Sequence, residues 1–348
     1  MTDIQSLIRS NIRSLIPYSS ARSEYKGTEA ILLDANENPY NYPYNRYPDP
    51  LQTRLKNRIS EIKAVAAEKI FLGNGSDEAI DLLIRAFCEP GTDNIVSIKP
   101  TYGMYKVCAD INNIEYRDVL LTPGFQPDIE KLIHIADKNS KLLFLCTPNN
   151  PTSNSLKRDN ILQLVKSFAG IVVVDEAYID FSQEVSLLAD LPKYKNLVVL
   201  QTFSKAWGMA GIRLGMAFAH EEIINVLNSI KYPYNINILT QHTALDRLTN
   251  TTDKDKWIKT ILSERQKLVN KLSVMPLVKD IMPSDANFLM VKFDRPREVY
   301  EYLTGRKIIV RDRSRVEMCT GYLRFTIGSE SENILLLEAL NAFSNRKD

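Results

Sequence analysis

The chain has 348 residues, enough for two domains or for one large domain with a smaller appendage. Its 44% apolar and 25% charged residues are typical of a globular protein, and 44 basic against 42 acidic side chains give a net charge of +2. A charge this close to neutral argues against the basic surface that binds nucleic acids, and no apolar run reaches the roughly 18 residues that cross a bilayer.

The first 33 residues are predicted to form an N-terminal arm with one short helix, Ile4 to Leu15, that ends before Pro17. Residues 33–50, LDANENPY to YNRYPDP, are rich in Asn, Pro and Tyr, a composition typical of a loop. This loop contains too many aromatic residues to be a plain linker.

A glycine turn opens the next predicted helix, in the segment FLGNGSDEAIDLLIRAFC from residue 71. Gly73 and Gly75 allow backbone conformations closed to other residues, and Ser76 is the predicted N-cap. The apolar residues that follow recur at helical spacing. A helix that begins after such a turn is either a plain helix start or an anion site built from free N–H groups.

Two short, β-branched-rich apolar runs, Ile171 to Val174 and Leu197 to Leu200, predict strands of a parallel sheet that is buried on both faces. Asn94 to Ile98 is a further strand candidate, and Leu142 to Cys146, a helix over 156–168 and Ile171 to Val174 make a βαβ unit. Arg213 to Ala217 is a further strand candidate.

Polar side chains follow two of these strands where ligands of parallel sheets bind, beyond the carboxyl ends. Asp175, Glu176 and Tyr178 follow one strand; Thr202, Ser204 and Lys205 follow the next, with Arg213 further along. A lone lysine in such a place is usually a solvated loop residue, and a Ser-Lys dyad of the amidase type is a second reading. The third is an amine activated by burial and a neighbouring cation, which forms a Schiff base with pyridoxal phosphate (PLP). PLP also needs an acid for its ring nitrogen and donors for its phosphate, and the surrounding residues are of those types.

The C-terminal part is predicted to form a compact α/β unit, reached through helices over 220–230 and 239–270, the second of which bridges two domains. Its own predicted elements are strands Asn287 to Phe293, Ile308 to Arg311 and Leu323 to Ile327, a helix around 296–304, and a final helix from Glu330. Arg311 and Arg324 belong to these strands, where an arginine is ordinarily a solvated charge or a structural ion pair.

Nine motifs in the same order make the chain resemble fold-type I PLP-dependent aminotransferases, and within them the histidinol-phosphate aminotransferase family. They are PYSSAR at 17–22, LDANENP at 33–39, YPDP at 47–50, GNGSDE at 73–78, PTYGMY at 100–105, TPNNPT at 147–152, VVDEAYIDF at 173–181, TFSKAWGMAGIRLG at 202–215, and RDRS with LRFTIG near the end. One motif of four residues carries little weight, but nine in order carry much.

The resemblance implies an α/β fold: a large PLP-binding domain, 34–245, with a mostly parallel sheet flanked by helices, and a small C-terminal domain, 246–348. It implies transfer of an amino group between L-histidinol phosphate and 2-oxoglutarate, giving imidazole acetol phosphate and glutamate, in histidine biosynthesis. An aromatic amino-acid aminotransferase and a threonine-phosphate decarboxylase on the same scaffold are the alternatives. A non-catalytic PLP-fold regulator would need a DNA-binding appendage, for which the sequence offers no segment.

The resemblance also assigns roles to residues at the matching positions. Lys205 carries PLP and acts as general base, Asp175 keeps the ring nitrogen protonated, and Asn150 and Tyr178 bind the phenolic oxygen, Tyr178 being counted with the catalytic residues. Tyr102 stacks on the ring. The phosphate is held by Ser76, Asp77, Thr202, Ser204, Arg213 and, from the partner of a homodimer with shared sites, Tyr47. The substrate is bound by Tyr18, Asn36, Arg311 and Arg324.

One position departs from the family pattern, because Ser153 stands where NPTG has glycine, so the shape of that turn is left open. Three scattered histidines and four cysteines without CxxC spacing give no zinc pattern, and the cysteines are expected to be buried, reduced thiols. The N-terminus has no secretory signal, and Asp3 argues against a mitochondrial one, so a cytoplasmic protein without membrane or nucleic-acid partners is predicted.

Overall fold

The computed structural model describes residues 3–18 and 30–345, which contain two β-sheets flanked by helices. The strands are β1 Ile70–Asn74, β2 Asn94–Lys99, β3 Glu115–Leu120, β4 Ser140–Cys146, β5 Ile171–Asp175, β6 Leu197–Thr202, β7 Leu214–Phe218, β8 Val278–Ile281, β9 Phe288–Phe293, β10 Arg311–Asp312 and β11 Tyr322–Thr326.

The α-helices surround these strands on both faces of the larger sheet and on one side of the smaller. They are α1 Ile4–Leu7, α2 Ser10–Arg13, α3 Thr53–Lys63, α4 Ser76–Phe87, α5 Met104–Ile111, α6 Ile129–Ile135, α7 Arg158–Ser167, α8 Glu221–Ile230, α9 Ile238–Arg247, α10 Thr252–Leu272, α11 Pro296–Gly305 and α12 Glu330–Ser344. Short 3₁₀ turns lie at Ala67–Lys69, Ile179–Phe181, Leu187–Asp190 and Ala210–Ile212.

The larger sheet has seven strands in the order β1-β7-β6-β5-β4-β2-β3. Strands β2 to β6 are parallel, whereas β7 runs antiparallel to β6 and to β1. The apolar run of β5 is buried on both faces because Val172 and Val174 join one core while Ile171 and Val173 join the other. The predicted mostly parallel sheet between two helix layers is therefore confirmed.

The smaller sheet is antiparallel, in the order β10-β11-β9-β8, and packs against α11 and α12 over a core of its own. That core also includes Leu268 and Leu272 from the end of the long helix α10. The predicted domain boundary at 245/246 falls inside α9, and the division into an arm and two domains stays a prediction.

Two predicted helices are wrong, because each is divided into two shorter helices, and main-chain groups at the break form hydrogen bonds with other parts of the protein. The helix over 4–15 is two short helices: Arg9 donates its N–H to Ala86 O at 3.0 Å and thereby docks the chain on the end of α4. The helix over 239–270 is α9 and α10, separated at 248–251. There the Arg58 guanidinium donates to the Leu248 carbonyl, and its Nη2 lies 2.7 Å from that oxygen.

Two smaller differences concern the ends of elements. Gly75, not Ser76, is the N-cap of α4, and its φ is +73°. The strand predicted over 308–311 is reduced to β10, because Lys307 has a φ of +64° and Ile308 N–H is bonded to the Leu303 carbonyl at the end of α11. Strands β1, β3 and β8 have no counterpart in the sequence prediction.

None of the helices in the described part of the chain combines the length and apolarity that a membrane span requires. The four cysteines are free and buried, as predicted.

Candidate active site

A cavity of about 250 Å³ opens at the carboxyl edge of the large sheet, at the ends of β5 and β6 and the start of α4. Every residue predicted to bind the cofactor, except Tyr47, lines it. The lining consists of Gly75, Ser76, Asp77, Tyr102, Cys146, Asn150, Asp175, Ala177, Tyr178, Thr202, Ser204, Lys205, Ala210 and Arg213.

Lys205 lies in the loop after β6, half-buried, with its ammonium nitrogen 5.5 Å from the centre of the Tyr178 ring. Burial lowers the pKa of this amine, and the nearby guanidinium of Arg324 lowers it further. A lowered pKa raises the fraction of neutral amine near neutral pH, and the neutral form is the nucleophile and the base.

Asp175 is the last residue of β5 and is only 2% exposed. Burial raises the pKa of its carboxyl to about 6. Two donors work against that rise: the Tyr105 hydroxyl, 2.8 Å from Oδ2, and the Ala177 N–H, 3.1 Å from Oδ1. The result is a carboxylate that remains charged at neutral pH although it is enclosed.

An anion cradle lies at the start of α4. Gly75 precedes the helix without a capping side chain, so the first N–H groups are left for a ligand. A Cβ at Gly75 would stand 2.5 Å from Arg213 Nη2, and one at Gly215 would stand 2.1 Å from Ser76 N. The absence of a Cβ at Gly75 leaves room for the Arg213 guanidinium, and its absence at Gly215 leaves room for the Ser76 amide.

The side chains of the cradle are also bonded to one another. Arg213 Nη2 lies 3.4 Å from Asp77 Oδ2, and the Tyr102 hydroxyl donates to Asp77 Oδ1 at 3.0 Å. Thr202 Oγ1 accepts the Ser204 N–H at 3.1 Å. Hydroxyls, amides and one guanidinium thus converge on a single end of the cavity, as a phosphate site requires.

Asn150 is 7% exposed, and Arg324 donates to its Oδ1 at 2.5 Å. With the oxygen occupied, the Nδ2 group of Asn150 is left to donate in the cavity. Tyr178, also buried, keeps its hydroxyl protonated because burial raises its pKa. Two neutral donors are thereby available for an oxygen acceptor.

The turn after Asn150 holds Ser153, at the glycine position of the family pattern, in the left-handed backbone region. Ser153 is completely buried with a φ of +66°. Its hydroxyl lies 2.6 Å from the Thr152 carbonyl and 3.1 Å from the Pro283 carbonyl, and its own carbonyl accepts the Asp285 N–H at 2.8 Å. These bonds tie the turn to the segment that leads into β9 of the smaller sheet.

The predicted substrate residues are more scattered. Arg324 is half-buried and reaches Asn150, and Arg311 stands opposite it in the β10–β11 pair but is exposed. Tyr18, 71% exposed, and Asn36 lie outside the cavity lining. Tyr47, predicted to act on the partner's site, stacks on Tyr234 with ring centres 4.4 Å apart.

The sequence analysis missed Tyr105, whose hydroxyl binds Asp175, and Cys146, which lines the cavity beside it. Cys146 could have been found from register, because two parallel strands that end together place Cys146 opposite Asp175. Tyr105 gives no such signal, since a tyrosine on a helix beside the sheet normally indicates core packing.

Among residues 3–18 and 30–345, histidine, cysteine and carboxylate side chains nowhere gather into a set that could hold a metal ion. The polar groups of the cavity are instead suited to an organic anion that carries a phosphate and a group able to react with an amine.

The cavity, the sheet order and the lysine after β6 are suited to a PLP-dependent enzyme. The family model "Aminotransferase class I and II" matches residues 22–340. The histidinol-phosphate aminotransferase of Bacteroides fragilis strain YCH46 is 54% identical over 344 residues, 99% of this chain and 100% of that protein. The chain therefore belongs to the class I and II aminotransferases and, within them, to the histidinol-phosphate aminotransferase family.

Two solved structures share the fold. The histidinol-phosphate aminotransferase from Clostridium acetobutylicum superposes with a TM-score of 0.80 at 24% identity, over 87% of this chain and 91% of that one. The enzyme from Sinorhizobium meliloti, solved in complex with pyridoxal-5'-phosphate, gives 0.78 at 19% identity over 86% and 83%. The predicted family, transaminase class and PLP cofactor are confirmed.

The residues present fit PLP. The cradle at Gly75 and Arg213 has the donors that a phosphate takes, Lys205 supplies the amine, and Asp175 supplies a buried carboxylate. Asn150 and Tyr178 supply the donors for an oxygen.

Proposed function

We propose that the enzyme transfers the amino group of L-histidinol phosphate to 2-oxoglutarate, in histidine biosynthesis. The observation that carries the proposal is the similarity along 99% of the chain to relatives of that name. A pair of arginines on adjacent strands, Arg311 and Arg324, supports it, because both substrates are anions.

When bound, PLP supplies an aldehyde that takes up the amino group and a ring that accepts electrons from the reacting carbon. Lys205 would hold the cofactor and then move the proton of the amine-bearing carbon with its Nζ. Asp175 would keep the ring nitrogen protonated. Asn150 and Tyr178 would orient the ring through its phenolic oxygen, and Tyr102 would cover one face.

The remaining lining residues would hold the phosphate of the cofactor. Arg213 offers charge and a planar fork, while the amides of Ser76 and Asp77 offer the unpaired donors of a helix start. Thr202 and Ser204 would add their hydroxyl groups.

Substrate choice separates the proposal from its alternatives on the same scaffold. Purified enzyme loaded with PLP is mixed with histidinol phosphate, phenylalanine or threonine phosphate, and the first half-reaction is followed through the cofactor absorbance. The proposal expects histidinol phosphate to give the largest kcat/KM. A larger value for phenylalanine would identify an aromatic aminotransferase, and release of carbon dioxide from threonine phosphate would identify a decarboxylase.

We further propose a homodimer in which Tyr47 of each chain completes the phosphate site of the other. The observation behind this is that Tyr47 is half-exposed on a loop and lies outside the cavity of its own chain. Several neighbouring tyrosines are also exposed, which is typical of an interface. Free, buried cysteines fit a reducing cytoplasm, the proposed location.

Mixed dimers test the shared site. The variants Tyr47→Ala and Lys205→Ala are each inactive or weak alone, but a mixed dimer has one site with both residues intact. Dissociating and reassociating an equal mixture is expected to restore about a quarter of the wild-type activity in a two-fold symmetric dimer. If Tyr47 acts within its own chain, mixing restores nothing.

A further inference from the structure

A buried hydrogen bond behind the cavity, between Tyr105 and Asp175, has no part in the roles assigned above. Tyr105 lies on α5, is 0% exposed and donates its hydroxyl to Asp175 Oδ2 at 2.8 Å. Its ring stacks on Phe144 of β4, with ring centres 4.7 Å apart, and meets the Tyr102 ring edge-on. The hydroxyl is therefore fixed by packing from two sides.

We propose that Tyr105 is a positioning residue for the reaction: its hydroxyl holds the Asp175 carboxylate in place and keeps the proton shared with the cofactor's ring nitrogen on that nitrogen. The inference rests on the role proposed for Asp175, and extends it to a residue that touches neither cofactor nor substrate.

The Asp175 carboxylate and the ring nitrogen of the cofactor would compete for one proton. A carboxylate and a pyridine nitrogen that face each other share a proton, and the more basic partner holds it. Enclosure makes the carboxylate of Asp175 more basic, which favours the neutral pair. A donor on the carboxylate makes it less basic, which favours the charged pair and hence an electron-accepting ring.

Tyr105 is suited to be this donor because it stays protonated. Burial raises the pKa of its hydroxyl well above the ordinary value, and the charge of Asp175 raises it further. The other donor, the Ala177 N–H, binds the second oxygen at the longer distance of 3.1 Å. The Tyr105 hydroxyl is thus the stronger of the two donors and stays in place over the working pH range.

Other charged or titratable groups that act on Asp175 or surround it do not replace Tyr105. Asp77 raises the pKa of the carboxyl and Lys205 lowers it, but both act through space and more weakly than the bond to Tyr105. Three neighbouring groups interact with the charge of Asp175: Tyr102, Cys146 and Tyr178. All three stay protonated, because burial raises their pKa.

The test removes one oxygen atom. The variant Tyr105→Phe retains the ring that packs on Phe144. A matched control is Tyr322→Phe, which removes another tyrosine hydroxyl that is bonded to an aspartate, Asp280, in the small sheet. Apoenzymes of the wild type and both variants are loaded with PLP labelled with ¹⁵N in the ring, and the ring nitrogen resonance is followed against pH.

In the wild type and Tyr322→Phe the resonance is expected to remain that of a protonated nitrogen through neutral pH. In Tyr105→Phe it is expected to move toward the neutral form even where the shared proton is retained, because that proton passes to the more basic carboxylate, with a change of about tenfold in the equilibrium between the two sites. The kcat for histidinol phosphate is expected to fall about tenfold with little change in KM, because the ring accepts electrons less well.

The variant Asp175→Asn separates failure of the inference from failure of the underlying role. If Asp175→Asn loses the protonated resonance and Tyr105→Phe keeps it, the inference is wrong and the role of Asp175 stands. If Asp175→Asn also keeps it, that role is wrong too. Should Tyr105→Phe bind too little PLP, ¹³C NMR of the apoenzymes decides: a carboxyl pKa at Asp175 that is no higher in the variant than in the wild type overturns the inference.

Discussion

The cofactor half and the substrate half of the candidate site are built in different ways. Asp175 and the loop of Lys205 are fixed by the register of a parallel sheet that is buried on both faces. Tyr18, Asn36 and Arg311 are exposed and lie on loops or on the edge of the smaller sheet.

The difference shows what one folded chain provides. Strand ends in a close-packed sheet can place catalytic groups without help from other parts of the protein. Exposed residues on loops need a substrate, a moving segment or a second chain to bring them together. We therefore expect the largest effects from changes in the cofactor half and smaller, substrate-dependent effects from the other.

The largest effect is expected for Lys205→Ala. Without the amine, no group remains to hold the cofactor covalently or to move the proton, and a general base contributes roughly 10²- to 10⁴-fold. The rate of the half-reaction with histidinol phosphate is measured together with the visible absorbance of the cofactor. Replacement of the exposed Lys166 by alanine is the control, and normal transamination by Lys205→Ala would refute the assignment.

The next largest losses of activity are expected from replacing the two arginines of the β10–β11 pair. Arg324→Ala removes an anion anchor and the partner of Asn150, so both half-reactions are expected to slow by about 100-fold, as misplaced catalytic groups do. Arg311→Ala, at an exposed position, is expected to cost about tenfold, mainly in KM. Stopped-flow kinetics with histidinol phosphate and with 2-oxoglutarate measure both steps.

A loss in only one half-reaction of Arg324→Ala would contradict a pocket shared by the two substrates. Equal losses in both variants would contradict the distinction drawn between a buried and an exposed arginine.

The sequence predicts the buried half of the molecule far better than its edges. Continuous apolar runs, buried on both faces of the sheet, predicted the strand that ends at Asp175 and the strand that precedes the loop of Lys205, and the chemical types of the residues that follow then indicated the site. The run containing Arg213 to Ala217 was found as a strand, but its antiparallel direction was not predicted, since apolarity does not encode direction. The break at 248–251 has a local signal that the apolar spacing on either side hides, because Asn250 Oδ1 accepts the Thr252 N–H at 2.9 Å at the start of α10.

The pH dependence of Lys205 also tests the comparison, because Arg324 of the substrate half acts on the charge of Lys205 in the cofactor half. The positive charge of Arg324 lowers the pKa of the Lys205 amine, so its removal raises that pKa and moves reactivity to higher pH. Apoenzyme is pulsed with acetic anhydride across a pH series, and acetylation of Lys205 is quantified by mass spectrometry.

The midpoint for Lys205 is expected to move to higher pH in Arg324→Ala than in the wild type, because the guanidinium that lowers the pKa of the amine is gone. An unchanged midpoint would mean that the guanidinium does not act on the amine.

The smallest effect concerns Ser153, which replaces the glycine of related turns at a φ of +66°. Left-handed backbone costs a non-glycine residue roughly 1–2 kcal/mol, and the hydrogen bonding of the hydroxyl with the Thr152 and Pro283 carbonyls offsets part of this, since such a bond contributes about 1 kcal/mol. Ser153→Ala keeps the strain and loses the bond, so the free energy of unfolding is expected to fall by about 1 kcal/mol.

Ser153→Gly loses the same bond but relieves the strain, so its stability in urea denaturation is expected to stay within about 0.5 kcal/mol of the wild type. The two variants together separate the hydroxyl from the backbone. If glycine destabilises as much as alanine, the turn carries no strain and the hydrogen bonding of the hydroxyl alone explains the serine. If neither variant changes stability, the Ser153 hydroxyl contributes nothing to the stability of the turn.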